Sequence, residues 1–474
     1  MISMKRILLV GPITDFSAGE TNWSAPPLGI HRIAAFLNRN GHHAEVFDCN
    51  IHHKLEHQFR RGWDIIGFSC IQATLHNDLK AMNLAKELCP DALLVAGGLE
   101  ATLNYADIID NSPVRVIILA EGEEQLLALA NGSAPETLDG VLVKRDAVPI
   151  TDEKIWEYWD AMDFRLLGYN QYWEQMRAKH PVNYDAEGGD TVRLVTSSHC
   201  NRGCFFCSVT QWHRFACGRS TKPAMLDAQQ LWKLTTKVKS QLPTVKTIYM
   251  VEDDFIQNRH RVMDYFDLII KFGPHLRFQV QTHTSHLIKD GKVDIELLSR
   301  LKEGGVEHIT MGVENCSDNC LKSFNKPQQL HLVPNIIEAC KVVGIRPYIL
   351  IILFPPAAKI EDMKRNYETL SKWIEMGATI SIEPNTMAYR GAPLYTSPHE
   401  MLYTSLDIDK QHRLRYPIRI LPDDPDVREL QRKFNAEWPK YLEAQGVAHT
   451  FKGETGKRMI SLLGDLLMRG HEEC

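Results

Sequence analysis

The sequence predicts an α/β protein with a doubly wound parallel sheet followed by a (β/α) barrel, complete or partial. Two observations carry this prediction. Apolar runs of strand length alternate with amphipathic helical stretches over residues 1–130, and the same alternation returns over residues 188–400. The second stretch holds about six strand–helix units, which fits a barrel whose site lies at the carboxyl ends of its strands. A chain of 474 residues is long enough for two or three domains.

The first domain, residues 1–130, has five predicted strands. They begin near residues 6, 44, 64, 91 and 115, and a helix after Pro26-Pro27 stops at Gly41. Ligands of doubly wound sheets bind outside the carboxyl ends of the strands. The residues at those ends are Ser69, Thr74, Gly97, Gly98 and the acidic turn 121–124.

The strand–helix rhythm breaks over residues 131–187, which are too aromatic for a free linker. We expect a connecting segment that packs on both neighbours. The barrel domain, residues 188–400, has candidate strands at 191–196, 246–251, 277–282, 307–312, 346–353 and 379–384. Residues 401–474 are charged, and we expect them to form a helical C-terminal extension.

Composition narrows the class of protein. The net charge of −5 provides no extended basic surface for nucleic acid. The 11 cysteines are mostly scattered singly, which favours a reducing cytoplasm over a disulfide framework. The apolar run near the N-terminus is short and has no cleavage site after it, so it predicts a buried strand rather than a signal peptide. The other long apolar run, 348–354, is too short to cross a bilayer.

Three cysteines crowd the loop after the first barrel strand, in "SSHCNRGCFFCSV" (197–209): Cys200, Cys204 and Cys207. Thiolates select iron–sulfur clusters, zinc or copper. A structural zinc ion takes four ligands, usually as two pairs, and no matching pair occurs elsewhere in the sequence. A [4Fe–4S] cluster held by three cysteines leaves one iron open for a substrate or cofactor. A zinc knuckle with His199 or Cys217 as its fourth ligand is the alternative.

The C-x3-C-x2-C spacing, with Phe206 before its last cysteine, resembles the signature of radical S-adenosylmethionine (SAM) enzymes. The segments "MVEDDFIQNRHRV" (250–262), "LLSRLKEGGVEHITMGVENCSDNCLKSFNK" (297–326) and "MAYRGAPLY" (387–395) resemble later parts of that barrel. At the N-terminal end, "GFSCIQAT", "VAGGLEAT" and "LAEGEEQLL" resemble a cobalamin-binding-type domain. The resemblance covers roughly residues 5–400.

This resemblance implies a set of cofactor contacts. Cys200, Cys204 and Cys207 would ligate a [4Fe–4S] cluster whose fourth iron chelates SAM, which is cleaved to a 5′-deoxyadenosyl radical. The remaining assignments are Glu252, Asp253 and Asp254 near the SAM amino group, Glu314 at its ribose or amino end, Phe206 at its adenine, and Ser69, Thr74, Gly97 and Gly98 against cobalamin. The D-x-H-x-x-G motif that supplies an axial histidine is absent, so cobalamin would bind without one. The alternative is a sheet domain that kept its fold and lost the cofactor.

The resemblance implies a cobalamin-dependent enzyme, most often a methyltransferase acting on an unactivated carbon or a phosphorus centre of a small molecule or peptide. The runner-up is radical chemistry without methylation: cyclisation, ring contraction or transfer of another SAM fragment. A cluster-based redox sensor is the non-enzymatic alternative. We also expect an external electron donor such as flavodoxin or ferredoxin, no membrane association and a cytoplasmic location.

Overall fold

The computed structural model describes residues 3–13, 25–141, 147–179, 189–218, 222–407, 413–444 and 452–469. The first domain is a five-stranded parallel sheet in the order β2-β1-β3-β4-β5. Its strands are β1 (Arg6–Val10), β2 (His43–Phe47), β3 (Ile65–Ser69), β4 (Leu93–Gly97) and β5 (Val116–Ile117). Its helices are α1 (Leu28–Arg39), α2 (Leu55–Phe59), α3 (Leu75–Leu88), α4 (Leu99–Leu103), α5 (Tyr105–Asn111) and α6 (Glu123–Ala130).

Helices cover both faces of this sheet, as the continuous apolar runs predict. Along β1, Leu8 and Val10 join one core with residues of α3, while Ile7 and Leu9 join a second core with residues of α1 and α6. The chain adds β2 on one side of β1 and β3, β4 and β5 on the other, so the switch point of the sheet lies between β1 and β3. The predicted doubly wound sheet is confirmed, and its ligand crevice is expected outside the carboxyl ends of β1 and β3.

The connecting segment contributes α7 (Asp152–Ala161) and α8 (Tyr169–Lys179). Trp159 and Trp173 are buried in the core of the second domain, and their indole N–H groups donate to the carbonyls of Val195 and Thr191 at 3.0 and 3.1 Å. Tyr172 donates instead to Asp48, just after β2, at 2.6 Å. The segment therefore packs on both of its neighbours.

The second domain contains six parallel strands, in the order β13-β12-β11-β8-β7-β6, within an eight-stranded sheet. The other two strands, β14 (Met401–Asp407) and β15 (Arg413–Ile420), lie beyond β13. The six are β6 (Thr191–Leu194), β7 (Thr247–Met250), β8 (Arg277–Thr282), β11 (Val306–Glu314), β12 (Arg346–Phe354) and β13 (Thr379–Met387); β9 (Ile288–Lys289) and β10 (Lys292–Val293) form a small separate hairpin. All six candidate strands are confirmed. Among the described strands β6 does not pair with β13, so the barrel is partial.

Helices pack against one face of this sheet, and the other face lines the interior of the partial barrel. These helices are α10 (Ala228–Gln241), α11 (Arg259–Phe272), α12 (Ile295–Glu303), α14 (Val333–Val343) and α15 (Ile360–Glu375). The short α13 (Asp318–Ser323) follows β11, and α9 (Val209–Cys217) packs on the first domain. The outward residues Ile248, Val280 and Ile309 lie in the apolar core with the helices of that face. Their neighbours along the strands, such as Tyr249 and Gln281, are half-buried and face the other way, since side chains alternate along a strand.

The C-terminal region differs from the helical prediction. Residues 401–420 hold an antiparallel pair, β14 (Met401–Asp407) and β15 (Arg413–Ile420), which extends the barrel sheet through β13. Only then follow α16 (Pro425–Ala444) and α17 (Lys452–Arg469). The expectation was wrong for 401–420 because the pairing partner of each strand, not its own weak apolar pattern, stabilises it. None of the helices in the described part of the chain is long and apolar enough to cross a membrane.

The two domains meet at the carboxyl ends of their sheets. Gln72, after β3, donates to the carbonyl of Ala388, after β13, at 3.0 Å. Arg390 in the same turn forms an ion pair with Asp107 of α5 at 2.5 Å. Loops at the carboxyl ends of the two sheets therefore contact one another.

Candidate active site

The loop that carries Cys200, Cys204 and Cys207 joins β6 to α9 at the carboxyl end of the barrel. Its second half is fixed by backbone hydrogen bonds to neighbouring loops: the Phe205 N–H donates to the Phe324 carbonyl, and the Phe205 carbonyl accepts from the Leu394 N–H, both at 2.9 Å. A loop tied on both sides presents its thiols in one arrangement.

The electrostatic surroundings of the thiols are mixed. Burial raises the pKa of Cys200 to about 11, with the charges of Asp254 and Asp253 adding to the shift. Burial also raises the pKa of Cys204, partly offset by the positive charge of Lys326. These thiols hold their protons at neutral pH, so a metal must displace protons when it binds. None of the described cysteines is disulfide-bonded.

The arrangement does not fit the zinc alternative. Cys217 is buried in the apolar core of the first domain, and the ring of His199 stacks on His213 with centroids 4.0 Å apart. A zinc ion needs all of its sulfur ligands within about 2.3 Å of one point. No group of His, Cys, Asp or Glu side chains within the described ranges converges on a single ion in this way. A cubane takes each cysteine on a different iron, so it suits thiols that share a loop without converging.

Glu252 is the first of three consecutive acidic residues after β7, and its carboxylate is bound by other groups of the protein. Its carboxylate accepts from the Thr196 N–H at 3.0 Å and from the Thr196 hydroxyl, and it forms a buried ion pair with Arg261 at 3.2 Å. Arg261 also donates to the Leu226 carbonyl at 2.7 Å. Glu252 thus ties the end of β6 to α11, and its oxygens have protein partners in place of a cofactor.

Asp253 and Asp254 have different surroundings although they are adjacent. Asp254 is buried and binds Arg202 and His286, each at 3.0 Å. Asp253 is exposed at the mouth of the barrel. The protein around the mouth still partly desolvates its carboxyl group, and with the charges of Glu252 and Asp254 this raises the pKa of Asp253 to about 6. Of the three acids, Asp253 is the one open to a ligand.

Glu314 lies at the end of β11 with a left-handed φ of 69° and a buried side chain. It forms an ion pair with Lys326 at 2.5 Å. The Lys326 ammonium also lies 5.6 Å from the centre of the Phe206 ring, which packs edge-on against Phe324. The structure therefore brings Phe206 and Glu314 together around a cation that the sequence analysis missed.

Lys326 is buried, and burial alone would lower its pKa. The charge of Glu314 and its hydrogen bond outweigh that effect and raise the pKa of Lys326. It stays an ammonium beside the thiols. Its only sequence signal is a lysine in a turn after a short helix, which is too common a pattern to mark a site.

At the carboxyl ends of the first sheet, Ser69 and Gly97 are direct neighbours in register. A Cβ on Gly97 would meet only the Ile118 carbonyl oxygen, at 3.8 Å, so the backbone borders open space there. Gly98 differs: its φ is 92°, and a Cβ would lie 2.9 Å from the Cys70 carbonyl oxygen. Gly98 is required by the close approach of two loops of the protein itself.

Thr74 is buried, and its hydroxyl donates to Asp78 at 2.7 Å. Asp78 in turn accepts from the N–H of Ile13, three residues after the end of β1, at 3.1 Å. The pair fixes the start of the loop after β1, whose residues 14–24 lie outside the described ranges. At the acidic turn 121–124, Glu121 and Glu123 form ion pairs with Arg32 of α1, the second at 2.6 Å. Of these residues, Gly97 is the one whose backbone has room for a neighbouring group, while the side chains of Thr74, Glu121 and Glu123 are bound to other protein groups.

Comparisons with known proteins match both halves of the chain. A model described as "B12 binding domain" matches residues 19–130, and one described as "Radical SAM superfamily" matches residues 194–370. The first match falls on the doubly wound sheet and the second on the partial barrel with its three cysteines.

Curated relatives are distant. The chain is 22% identical over 394 residues to an anaerobic magnesium-protoporphyrin IX monomethyl ester cyclase of Rubrivivax gelatinosus, covering 78% of this chain and 66% of the relative. For a cyclase of the same name from Cereibacter sphaeroides the identity is 25%, with 68% and 52% covered. The chain thus spans about half to two thirds of the cyclases. A cytidylyl-2-hydroxyethylphosphonate methyltransferase of Streptomyces wedmorensis is 21% identical, with 92% of this chain and 90% of the relative covered.

Solved structures show the same fold over the whole chain. The radical SAM methyltransferase TsrM of Kitasatospora setae, with cobalamin and a [4Fe–4S] cluster bound, superimposes with a TM-score of 0.68 at 13% identity and covers 100% of both chains. The cobalamin-dependent enzyme OxsB gives 0.67 at 13% identity, covering 100% of this chain and 81% of that one. A radical SAM domain uses a [4Fe–4S] cluster and SAM, and a B12-binding domain adds cobalamin. With both domains present in this order, the chain belongs to the radical SAM enzymes that carry an N-terminal B12-binding domain.

Proposed function

We propose that this cobalamin-dependent radical SAM enzyme is a methyltransferase acting on an unactivated carbon or phosphorus centre of a small molecule or peptide. The observation that carries the proposal is the contact between the carboxyl ends of the two sheets, through Gln72 and Ala388 and through Arg390 and Asp107. Methyl transfer requires a site on each sheet to open on a common space. The methyltransferase relative, which matches over nine-tenths of both chains, supports it.

When bound, the cluster with SAM supplies a 5′-deoxyadenosyl radical and cobalamin supplies a transferable methyl group. The protein's part is to bind, orient and exclude water. Cys200, Cys204 and Cys207 would hold the cluster. Asp253 presents a carboxylate to the SAM ammonium, and Lys326 presents an ammonium to its carboxylate, so the two ends of the SAM amino acid are matched in charge. Phe206 offers an apolar ring, and Ser69 and Gly97 line the crevice proposed for cobalamin.

The experiment is anaerobic reconstitution with iron, sulfide, cobalamin, SAM and a reductant. We expect 5′-deoxyadenosine together with S-adenosylhomocysteine, the latter at about one equivalent per bound cobalamin before substrate is added. Protein reconstituted without cobalamin is the control and should form 5′-deoxyadenosine alone. If S-adenosylhomocysteine is absent when cobalamin is bound, methylation is the wrong assignment. A redox sensor would form neither product.

Non-methylating chemistry is the second candidate, favoured by the cyclase relatives. It predicts 5′-deoxyadenosine without S-adenosylhomocysteine. An external electron donor and a cytoplasmic location remain predictions. The donor is testable by replacing the chemical reductant with reduced flavodoxin, which should support SAM cleavage.

Changing Lys326 to Gln is expected to weaken SAM binding about ten- to hundredfold, since a charged hydrogen bond contributes roughly 1.5–3 kcal/mol. Equilibrium binding of SAM to cluster-loaded protein measures the effect. Lys322, exposed on α13, provides the matched control: Lys322→Gln should bind SAM as the unmodified protein does. Equal affinity in both variants would assign Lys326 to the structural support of Glu314 alone.

A further inference from the structure

We infer that Arg202 and Asp254 are positioning residues that brace the cluster-binding loop, and that Asp254 does not contact SAM. The inference rests on the proposed cluster ligands Cys200, Cys204 and Cys207. The inference goes beyond those ligands because it assigns Asp254 a role in holding the cluster rather than in binding SAM.

Arg202 lies between the first two cysteines of the loop, and its guanidinium reaches two other strand ends. Its Nε donates to Asp254 Oδ2 at 3.0 Å, and its Nη2 donates to the Ser285 hydroxyl at 2.9 Å. Nη2 also lies 2.7 Å from His286 Nε2. Asp254 follows β7, and Ser285 and His286 follow β8. One side chain thus fastens the thiol loop of β6 to the next two loops of the barrel.

Asp254 is enclosed by protein groups. Its Oδ2 accepts from Arg202 Nε at 3.0 Å, and its Oδ1 accepts from the Thr282 hydroxyl at 2.8 Å and from the His283 N–H at 3.2 Å. His286 Nε2 lies 3.0 Å from Oδ2, and only 2% of the side chain is exposed, so the carboxylate has no open side for the ammonium of SAM. Burial would raise the pKa of Asp254, but His286 and Arg202 outweigh it and hold the pKa well below its usual range. Asp254 is therefore an anion whose charge is balanced by neighbouring groups of the protein.

The position of the brace matters for the first half of the loop. The half after Gly203 is tied through the backbone of Phe205 and through Asn325, which donates to the Gly203 carbonyl at 3.2 Å. The stretch between Cys200 and Gly203 is tied to the neighbouring strand ends through Arg202. Groups that orient metal ligands from behind typically change metal affinity about 10–100-fold when they are removed. Loss of this ion pair should therefore loosen the cluster.

The test compares Asp254→Asn, Arg202→Gln and the double variant with the unmodified protein after anaerobic cluster loading. The readouts are the rate of iron loss to an excess of chelator and the SAM affinity of the protein that remains loaded. We expect each single variant to lose iron about tenfold faster, and the double variant to lose it more slowly than the product of the two single effects, because the two changes share the Arg202–Asp254 contact. SAM affinity of the loaded protein should stay within about threefold.

The matched control is Asp294→Asn, which breaks another Arg–Asp pair of the same domain, with Arg259 at 2.8 Å. It should retain iron as the unmodified protein does, even where its melting temperature falls. Arg202 is a quarter exposed, so Arg202→Gln provides a folded variant if Asp254→Asn does not fold.

Normal iron retention with weakened SAM binding in Asp254→Asn would overturn the inference and make Asp254 a SAM ligand. Normal values for both readouts in both variants would also overturn it. Failure of the unmodified protein to load a cluster would instead refute the proposed function on which the inference rests, so the two failures are distinguishable.

Discussion

Replacing any one of Cys200, Cys204 or Cys207 with Ala is expected to abolish both the brown iron–sulfur absorbance and the cleavage of SAM. Three cysteines are the only protein ligands proposed for the cubane, and the fourth iron must stay open for SAM. A cluster left with two protein ligands is poorly held. Iron and sulfide analysis of the anaerobically purified variants, with 5′-deoxyadenosine formation as the second readout, measures the effect.

Cys340 supplies the matched control because it is a fully buried thiol of the same domain that lies in its apolar core. Cys340→Ala removes a sulfur of the same kind without touching the loop, and it should retain the cluster. The assignment fails if a loop variant holds iron as the unmodified protein does, or if the triple variant binds zinc and remains active.

The parallel strands could be predicted because each carries apolar residues where it faces a helix: β4, LLVAG, is a continuous apolar run, whereas β8, RFQVQT, alternates polar and apolar residues. Both patterns report burial, and burial is what fixes a parallel strand. The hairpin of β14 and β15 was not predicted, because polar and apolar residues alternate only loosely along its strands. Their stabilisation comes from pairing with each other and with the end of β13, a contact between residues distant in sequence.

The residues of the candidate site also differ in whether local sequence or tertiary contacts reveal their role. The three cysteines were recognisable because ligand spacing within one loop is a local property of the sequence. Glu252, Asp253 and Asp254 are indistinguishable in sequence, since they are consecutive acids in one turn. Arg261 of α11 engages the first, Arg202 of the thiol loop engages the third, and the second is left open. Tertiary contacts alone decide which acid can meet a cofactor.

The two glycines after β4 look alike in sequence but call for different experiments. A side chain on Gly98 would meet the Cys70 backbone and would have to adopt a left-handed φ, so Gly98→Val is expected to damage the fold of the first domain. Loss of cobalamin in that variant would say nothing about a contact with the cofactor. Gly97 is free of both constraints.

Gly97→Val is expected to abolish cobalamin retention while leaving the [4Fe–4S] cluster in place. A Cβ at Gly97 would lie 3.8 Å from the Ile118 carbonyl oxygen, an ordinary van der Waals contact, and the backbone there needs no left-handed φ. The added methyl groups would enter the crevice beside Ser69 that is proposed to bind cobalamin. The barrel has its own core, so the cluster should survive.

Cobalt and iron analysis of the same reconstituted sample measures both outcomes at once, and Gly97→Ala provides the graded control. Retention should fall in the order Gly, Ala, Val if the residue borders the cofactor, because each step fills more of the same space. The bound cofactor should also show a base-off spectrum with no histidine nitrogen on cobalt, since the stretch from Gly11 to Trp23 contains no histidine. Cobalamin retained at the unmodified level by Gly97→Val would place the cofactor elsewhere. A histidine nitrogen detected on cobalt by electron paramagnetic resonance would contradict binding without an axial histidine.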